Sequence, residues 1–189
     1  MEITVKSYFI RGENLKQNYK NLAVFDLDGT LWKINSHFEI LNTYFKTKFY
    51  TSFSFRLLNH FFKKKAYYYI CKKYKEIPKE FVYSFEPEFN PEIISLLEEK
   101  KEAGFFCLIL SNAPYEIAEH AAERLSIPFM CAPIGKKKSV LDENYSYSQL
   151  FVCTDNIDDM DLIKASTYKK IVFTRNNTKF FNKHGISEK

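Results

Sequence analysis

Glycine and proline are scarce in this chain, five and six of 189 residues, while aromatic residues make up 17%. That balance excludes a disordered or fibrous chain, because such chains are poor in the residues that build a core. No run of about 18 uncharged apolar residues occurs, so no membrane-spanning helix is expected. The opening residues, Met1 to Lys16, lack the basic-then-apolar layout of a secretory leader. The four cysteines, Cys71, Cys107, Cys131 and Cys153, form no C-x-x-C pair and no other zinc spacing. Three of them sit in apolar runs, where a thiol behaves as a small buried hydrophobe. All four are read as reduced, which suits the cytoplasm. Two further absences are local. Trp32 to Phe89 contains no glycine, and Lys46 to Lys75 holds nine Lys or Arg with no acidic residue. The net charge is +5, so the rest of the chain is net negative. That asymmetry says more than the total does.

What is present centres on Leu22-Ala23-Val24-Phe25-Asp26-Leu27-Asp28-Gly29-Thr30-Leu31. The run from Leu22 to Phe25 reads as a buried strand. In a parallel sheet, chemistry gathers just beyond the carboxyl ends of the strands. Asp26 then points into that crevice, and strand alternation puts Asp28 on the same side. Gly29 lets the chain leave through a tight turn. Two carboxylates so close call for a cation or a shared proton.

A chain of this length suits one domain, or one domain with an insertion, and can bury roughly 70% of its unfolded surface. Ile3 to Ile10 alternates like an edge strand, and Arg11 to Asn14 reads as a turn. From Trp32 to Phe89 the apolar positions recur at helical spacing, which predicts three or four helices standing over the crevice. Asn90 is placed to cap a helix with Pro91 at its first position, and Gly104 ends it. Strands are then expected at Phe105–Leu110, Ile127–Ala132, Leu150–Thr154 and Lys170–Thr174. Helices are expected at Tyr115–Leu125, at about Asp159–Ser166 and before Gly185. Strands alternating with helices imply an α/β fold with a doubly wound parallel sheet. The expected division is an α/β core over residues 1–32 and 90–189, with a small helical cap over 33–89.

Four strand ends carry polar groups: Asp26 with Asp28, Ser111 with Asn112, the run Lys136-Lys137-Lys138, and Asp155 with Asp159. The combination suits phosphoryl transfer, which is mostly positioning and charge stabilisation. A hard divalent cation takes oxygen ligands from one or two carboxylates, which Asp26 and Asp155 can supply. A carboxylate can attack phosphorus to give an acyl phosphate. Asp28 is placed to protonate the leaving oxygen and then to deprotonate water. Ser111 and the N–H groups after it can hold phosphoryl oxygens, and a lysine can balance the nucleophile and the phosphate.

Taken in order, D-L-D-G-T-L, L-I-L-S-N, a lysine and D-N-I-D-D resemble the four motifs of the haloacid dehalogenase-like (HAD) hydrolase superfamily, over about residues 21 to 174. The resemblance implies a Rossmann-like core and a Mg²⁺ cofactor. It implies Asp26 as nucleophile and metal ligand, and Asp28 as acid/base and, through its backbone carbonyl, metal ligand. Ser111, with Asn112, would bind phosphate. Asp155 would be the remaining metal ligand, and Asp159 a carboxylate behind the ligands. Lys137 fits a K-x-x-x-L pattern with Leu141, with Lys136 and Lys138 as the alternatives. Thr154 stands where the family often has glycine, and the connection from the lysine to the fourth motif is short enough to predict a reduced helix there. The insertion resembles the phosphoserine-phosphatase-like branch, and more closely the HAD domains fused to membrane prenyltransferases. Asn35 falls where the phosphoserine enzymes place a substrate-reading carboxylate, which argues against an amino-acid substrate. Asn35 and Glu39 are the expected substrate contacts, and His37 reads as a helix-surface residue.

The expected activity is hydrolysis of a small phosphomonoester, a sugar phosphate or a lipid-linked phosphate. The alternatives are a phosphotransferase or mutase using the same aspartyl-phosphate, and a non-catalytic binding module. The basic aromatic stripe from Thr47 to Lys75 has three readings. The first packs its aromatics on the core with solvated lysines. The second makes peripheral contact with an anionic membrane, at the inner membrane surface. The third, nucleic acid, is disfavoured because no recognisable motif accompanies it.

Overall fold

The structure is a computed structural model and describes residues 16–187. Five parallel strands form one sheet: β1 (Gln17–Phe25), β2 (Phe106–Ser111), β3 (Phe129–Cys131), β4 (Tyr145–Thr154) and β5 (Tyr168–Ile171), in the order β3-β2-β1-β4-β5. The expected edge strand at Ile3–Ile10 lies outside the described residues.

Alternation along the strands makes two cores. Ala23, Phe25, Cys107, Ile109, Phe151 and Cys153 point to one face, and Leu22, Val24, Leu108, Leu110, Leu150 and Val152 to the other. Helices α5 (Pro91–Glu102) and α6 (Tyr115–Leu125) cover the first face through Ile93, Leu97, Ile117 and Ala121. Helices α7 (Lys137–Asn144), α8 (Met160–Ala165) and α9 (Thr178–Lys183) cover the second through Leu141, Leu162, Ile163 and Phe181. Central β1 is therefore dry on both sides from Leu22 to Phe25. Its last residue pairs with Ile109 of β2 and Cys153 of β4, which run on by two and one residues, so the three strands end near one another.

Between β1 and α5 lie four helices and a 3₁₀ turn: α1 (Ser36–Tyr44), the turn at Phe49–Thr51, α2 (Phe53–Phe61), α3 (Lys63–Tyr74) and α4 (Lys79–Tyr83). Ile40, Leu41, Tyr50, Phe55, Ile77 and Val82 join the core on the first face of the sheet. Ser52 caps α2 by accepting the Phe55 N–H at 3.2 Å. The insertion leaves and returns at one neck. Trp32 and Phe89 bridge antiparallel, and the Asn90 N–H donates to the Leu31 carbonyl at 2.7 Å. Asn90 does stand at the N-cap of α5 ahead of Pro91, but its side chain makes no capping bond.

The polar connection after the lysine run holds a short helix, α7 of eight residues, which turns Lys137, Val140 and Leu141 inward. Two expectations shift. Strand β4 starts five residues early because Tyr145–Gln149 pairs with the polar first half of β1. Strand β5 ends at Ile171, where its partner β4 ends at Thr154.

Candidate active site

These neighbouring strand ends bring buried charge together. Asp26 follows the last residue of β1, and its N–H donates to the Cys153 carbonyl at 2.9 Å. Its Oδ1 accepts the Leu27 N–H at 2.8 Å and lies 2.8 Å from Lys137 Nζ. Lys137 opens α7 and is only 1% exposed, and its ammonium also reaches Asp159 Oδ2 at 2.8 Å. Of the three lysines in the run, Lys137 is the one buried against Asp26. Lys138 pairs with Asp142 on its own helix, and Lys136 is exposed. Burial works against the Lys137 ammonium, but Asp26 and Asp159 outweigh it and raise its pKa. Burial also lifts Asp26 to about 7; Lys137 opposes this, and the charges of Asp159 and Asp155 add to it.

Asp155 begins the loop after β4. Thr30 holds it twice, donating from Oγ1 to Asp155 Oδ1 at 3.2 Å and accepting the Asp155 N–H at 3.0 Å. Gly29 adopts φ +74°, and its missing side chain leaves room for the Asp155 carboxylate. Burial raises Asp155 to about 6, partly offset by the Thr30 hydroxyl. Asp159 is buried and also accepts the Thr154 hydroxyl at 2.7 Å. A glycine at position 154 would supply no such donor, so Thr154 is a built-in strut between β4 and Asp159.

Asp28 departs from the expected strand geometry. β1 stops at Phe25, so Asp28 belongs to the turn and the strand alternation no longer applies. Its Oδ1 accepts the Ser36 N–H at 2.9 Å, and its Oδ2 lies 3.2 Å from His37 Nδ1. The expectation that His37 is a plain surface residue is corrected by that contact: the first turn of α1 swings it back over the D-L-D loop. Ser111 is buried at the end of β2, where its Oγ accepts the Ala113 N–H at 3.0 Å. Asn112 gives its amide to the Ala132 carbonyl at 2.7 Å, tying the end of β2 to the chain after β3.

Asn35 and Glu39 line a cavity of about 370 Å³ that none of the residues above lines. Phe38, Tyr50, Phe55 and Arg56 line it from the insertion, and Asn176 from the loop after β5. Among the described residues, no three His, Cys, Asp or Glu side chains are grouped to hold a metal by themselves. The oxygen set at the strand ends is of another kind. It comprises two desolvated carboxylates, Asp26 and Asp155, with Lys137 as the cation paired to Asp26. Hard oxygen donors in excess negative charge fit Mg²⁺, which keeps several of its waters.

The model of the family described as haloacid dehalogenase-like hydrolase matches residues 23–148, more than half of the chain. The chain belongs to the haloacid dehalogenase-like hydrolase family. Solved structures share the fold of this HAD-like hydrolase at low identity. A protein of unknown function from Bordetella pertussis Tohama I is 12% identical with a TM-score of 0.69, covering 92% of this chain and 98% of that one. A phosphoserine phosphohydrolase-like protein from Francisella tularensis is 18% identical with a TM-score of 0.58, covering 80% and 95%. A phosphoserine phosphatase described as a phospho-aspartyl intermediate analogue is 15% identical with a TM-score of 0.52, covering 79% and 85%. No curated protein sequence matches the chain.

Sequence reasoning passed over several residues of this HAD-like site. Thr30 lay inside the D-G-T motif without a role. Asn177 is buried, and its amide donates to the Asp155 carbonyl at 2.7 Å and the Val172 carbonyl at 2.9 Å, fixing the loop that carries Asp155. Its only signal was a polar pair, Asn176-Asn177, after a strand.

Proposed function

We propose that the chain is a Mg²⁺-dependent phosphatase that hydrolyses a phosphomonoester through an aspartyl-phosphate on Asp26. The observation that carries this reading is the buried contact of Asp26 with Lys137 at 2.8 Å, beside Asp155 at the neighbouring strand end. In this reading, residues 1–32 and 90–189 form the catalytic core and 33–89 the cap. Asp26, Asp155 and the Asp28 carbonyl would hold Mg²⁺, which when bound supplies positive charge to the phosphoryl oxygens.

The chain's own groups then divide the work. Lys137 keeps Asp26 oriented and offsets its charge, so the carboxylate can approach an anionic phosphoryl group. Asp26 attacks phosphorus while the ester oxygen leaves with a proton from Asp28. Asp28, now ionised, takes a proton from the water that attacks the acyl phosphate, which returns Asp26 and releases phosphate. Ser111 and the N–H groups after it bind the phosphoryl oxygens, with Asn112 holding their loop. Asp159 and Thr154 hold Lys137 from behind.

Asn35 and Glu39 read the leaving group in the cavity they line, whose aromatic walls and Arg56 suit a sugar phosphate or a lipid-linked phosphate. The fold of the phosphoserine phosphatase with its phospho-aspartyl analogue supports the intermediate. A phosphotransferase or mutase would use the same groups and pass the phosphoryl to a sugar hydroxyl. A non-catalytic module is disfavoured because every carboxylate and the lysine are retained. Contact of the basic cap with an anionic membrane rests on separate observations, those of its outer face. The test is a screen of phosphorylated metabolites for released phosphate, with Mg²⁺ and with EDTA. Metal-dependent release supports the reading. Transfer of label to an added sugar without free phosphate would favour the transferase.

A further inference from the structure

We propose that the outer face of α2 and α3 docks this protein on an anionic lipid surface. Helix α2 is two-sided. Phe55 is buried in the core, while Phe53, Leu57 and Phe61, at i, i+4 and i+8, form one exposed row. Phe53 is 79% exposed and Phe61 67%; Phe62, at the end of α2, is exposed too, as is Tyr68 of α3 at 73%. Single exposed apolar residues are ordinary on a protein surface, but a contiguous row of large ones marks a contact site.

Charge decides what it contacts. Every ionic residue from Lys46 to Lys75 is basic. Lys65 stands 5.8 Å from the centre of the Phe62 ring, so cation and apolar surface interleave on the same patch. An amphipathic helix with aromatic and leucine side chains on one side and lysines beside them fits the boundary between acyl chains and anionic headgroups. A second copy of this chain fits poorly, because two such faces would bring like charges together. Nucleic acid would use the lysines and rings but leave Leu57 and Leu58 without a partner.

Phe55, Arg56 and Asn59 line the cavity from the other side of α2, so docking through the outer row leaves the cavity uncovered. The docking does not rest on the proposed phosphatase reading.

The test is co-sedimentation of the full chain with phosphatidylcholine vesicles, with and without phosphatidylserine. Pelleting is expected only with phosphatidylserine, and less at high salt. The double variant Phe53→Ser, Phe61→Ser should lower the bound fraction at least about tenfold. Its turnover of a small soluble phosphate and its thermal unfolding should stay as in the parent, since both side chains are exposed and neither lines the cavity. A second variant, Lys65→Glu with Lys72→Glu, should lose the phosphatidylserine dependence. Absence of pelleting with either vesicle, or undiminished pelleting of both variants, would overturn the proposal. So would oligonucleotide binding, or a concentration-dependent dimer, that the Phe53→Ser, Phe61→Ser variant abolishes while vesicles bind neither protein. The assay needs no turnover, so its failure leaves the catalytic reading standing.

Discussion

Gly29 touches Asp155 so closely that a Cβ at position 29 would stand 2.3 Å from Asp155 Oδ2 and 2.7 Å from its Cγ. No side chain fits there, and the positive φ adds a cost for any L-residue of roughly 1–2 kcal/mol. Gly29→Ala should therefore leave the sheet folded and displace the Asp155 carboxylate. The expected result is a thermal midpoint a few degrees lower and Mg²⁺-dependent turnover reduced about a hundredfold, the cost of misplacing one catalytic group. Turnover against Mg²⁺ concentration checks it; an unchanged curve would mean Asp155 does not act on the metal.

Lys137 is buried between Asp26 and Asp159, so removing its charge leaves two carboxylates desolvated without their cation. Breaking a buried pair in this way costs about 3–5 kcal/mol. Lys137→Met should lower the urea midpoint accordingly and abolish turnover. Lys136→Ala and Lys138→Ala should each change stability by less than about 1 kcal/mol, since exposed pairs contribute little.

The pH dependence follows from Asp26 at about 7 and Asp155 at about 6, both raised first by burial. The metal-free folded state then holds protons that the unfolded chain has released. The stability this confers is present at low pH and lost as pH rises through about 6 and 7. Asp26→Asn should remove part of that slope, seen in thermal melts in EDTA. Mg²⁺ competes with the same protons, so the rise in melting temperature on adding Mg²⁺ should grow over this pH range and level off above it.

His37 lies 3.2 Å from Asp28, whose other oxygen is fixed by the Ser36 N–H. A hydrogen-bonding side chain at position 37 therefore helps set the orientation of the proposed acid/base. His37→Leu should lower kcat about tenfold with KM little changed, while His37→Asn retains more of it. Equal losses in both variants would point to packing instead.

The strand before Asp26 was plain in the sequence because four apolar residues precede two carboxylates, and a central parallel strand must be dry on both faces. The helical insertion was legible from its period. Helix α7 was legible only as a reduced helix implied by the resemblance, because few of its residues are apolar. Spacing could not choose among three consecutive lysines, since the choice depends on how the first turn of α7 faces β1. Thr30, Thr154 and Asn177 act by holding a carboxylate or its loop across long sequence separations, and nothing local distinguishes them from ordinary polar residues. His37 was misjudged because its partner sits in the preceding turn rather than on its own helix.

The most direct measurement is covalent trapping: incubate the protein with Mg²⁺ and acetyl phosphate carrying radioactive phosphorus, quench in acid, and locate the label by peptide mapping. The account predicts an acid-stable label on the peptide containing Asp26, with Asp26→Asn unlabelled and inactive. Unlabelled protein that turns over normally, or an Asp26→Asn variant that still hydrolyses phosphate esters, would contradict it.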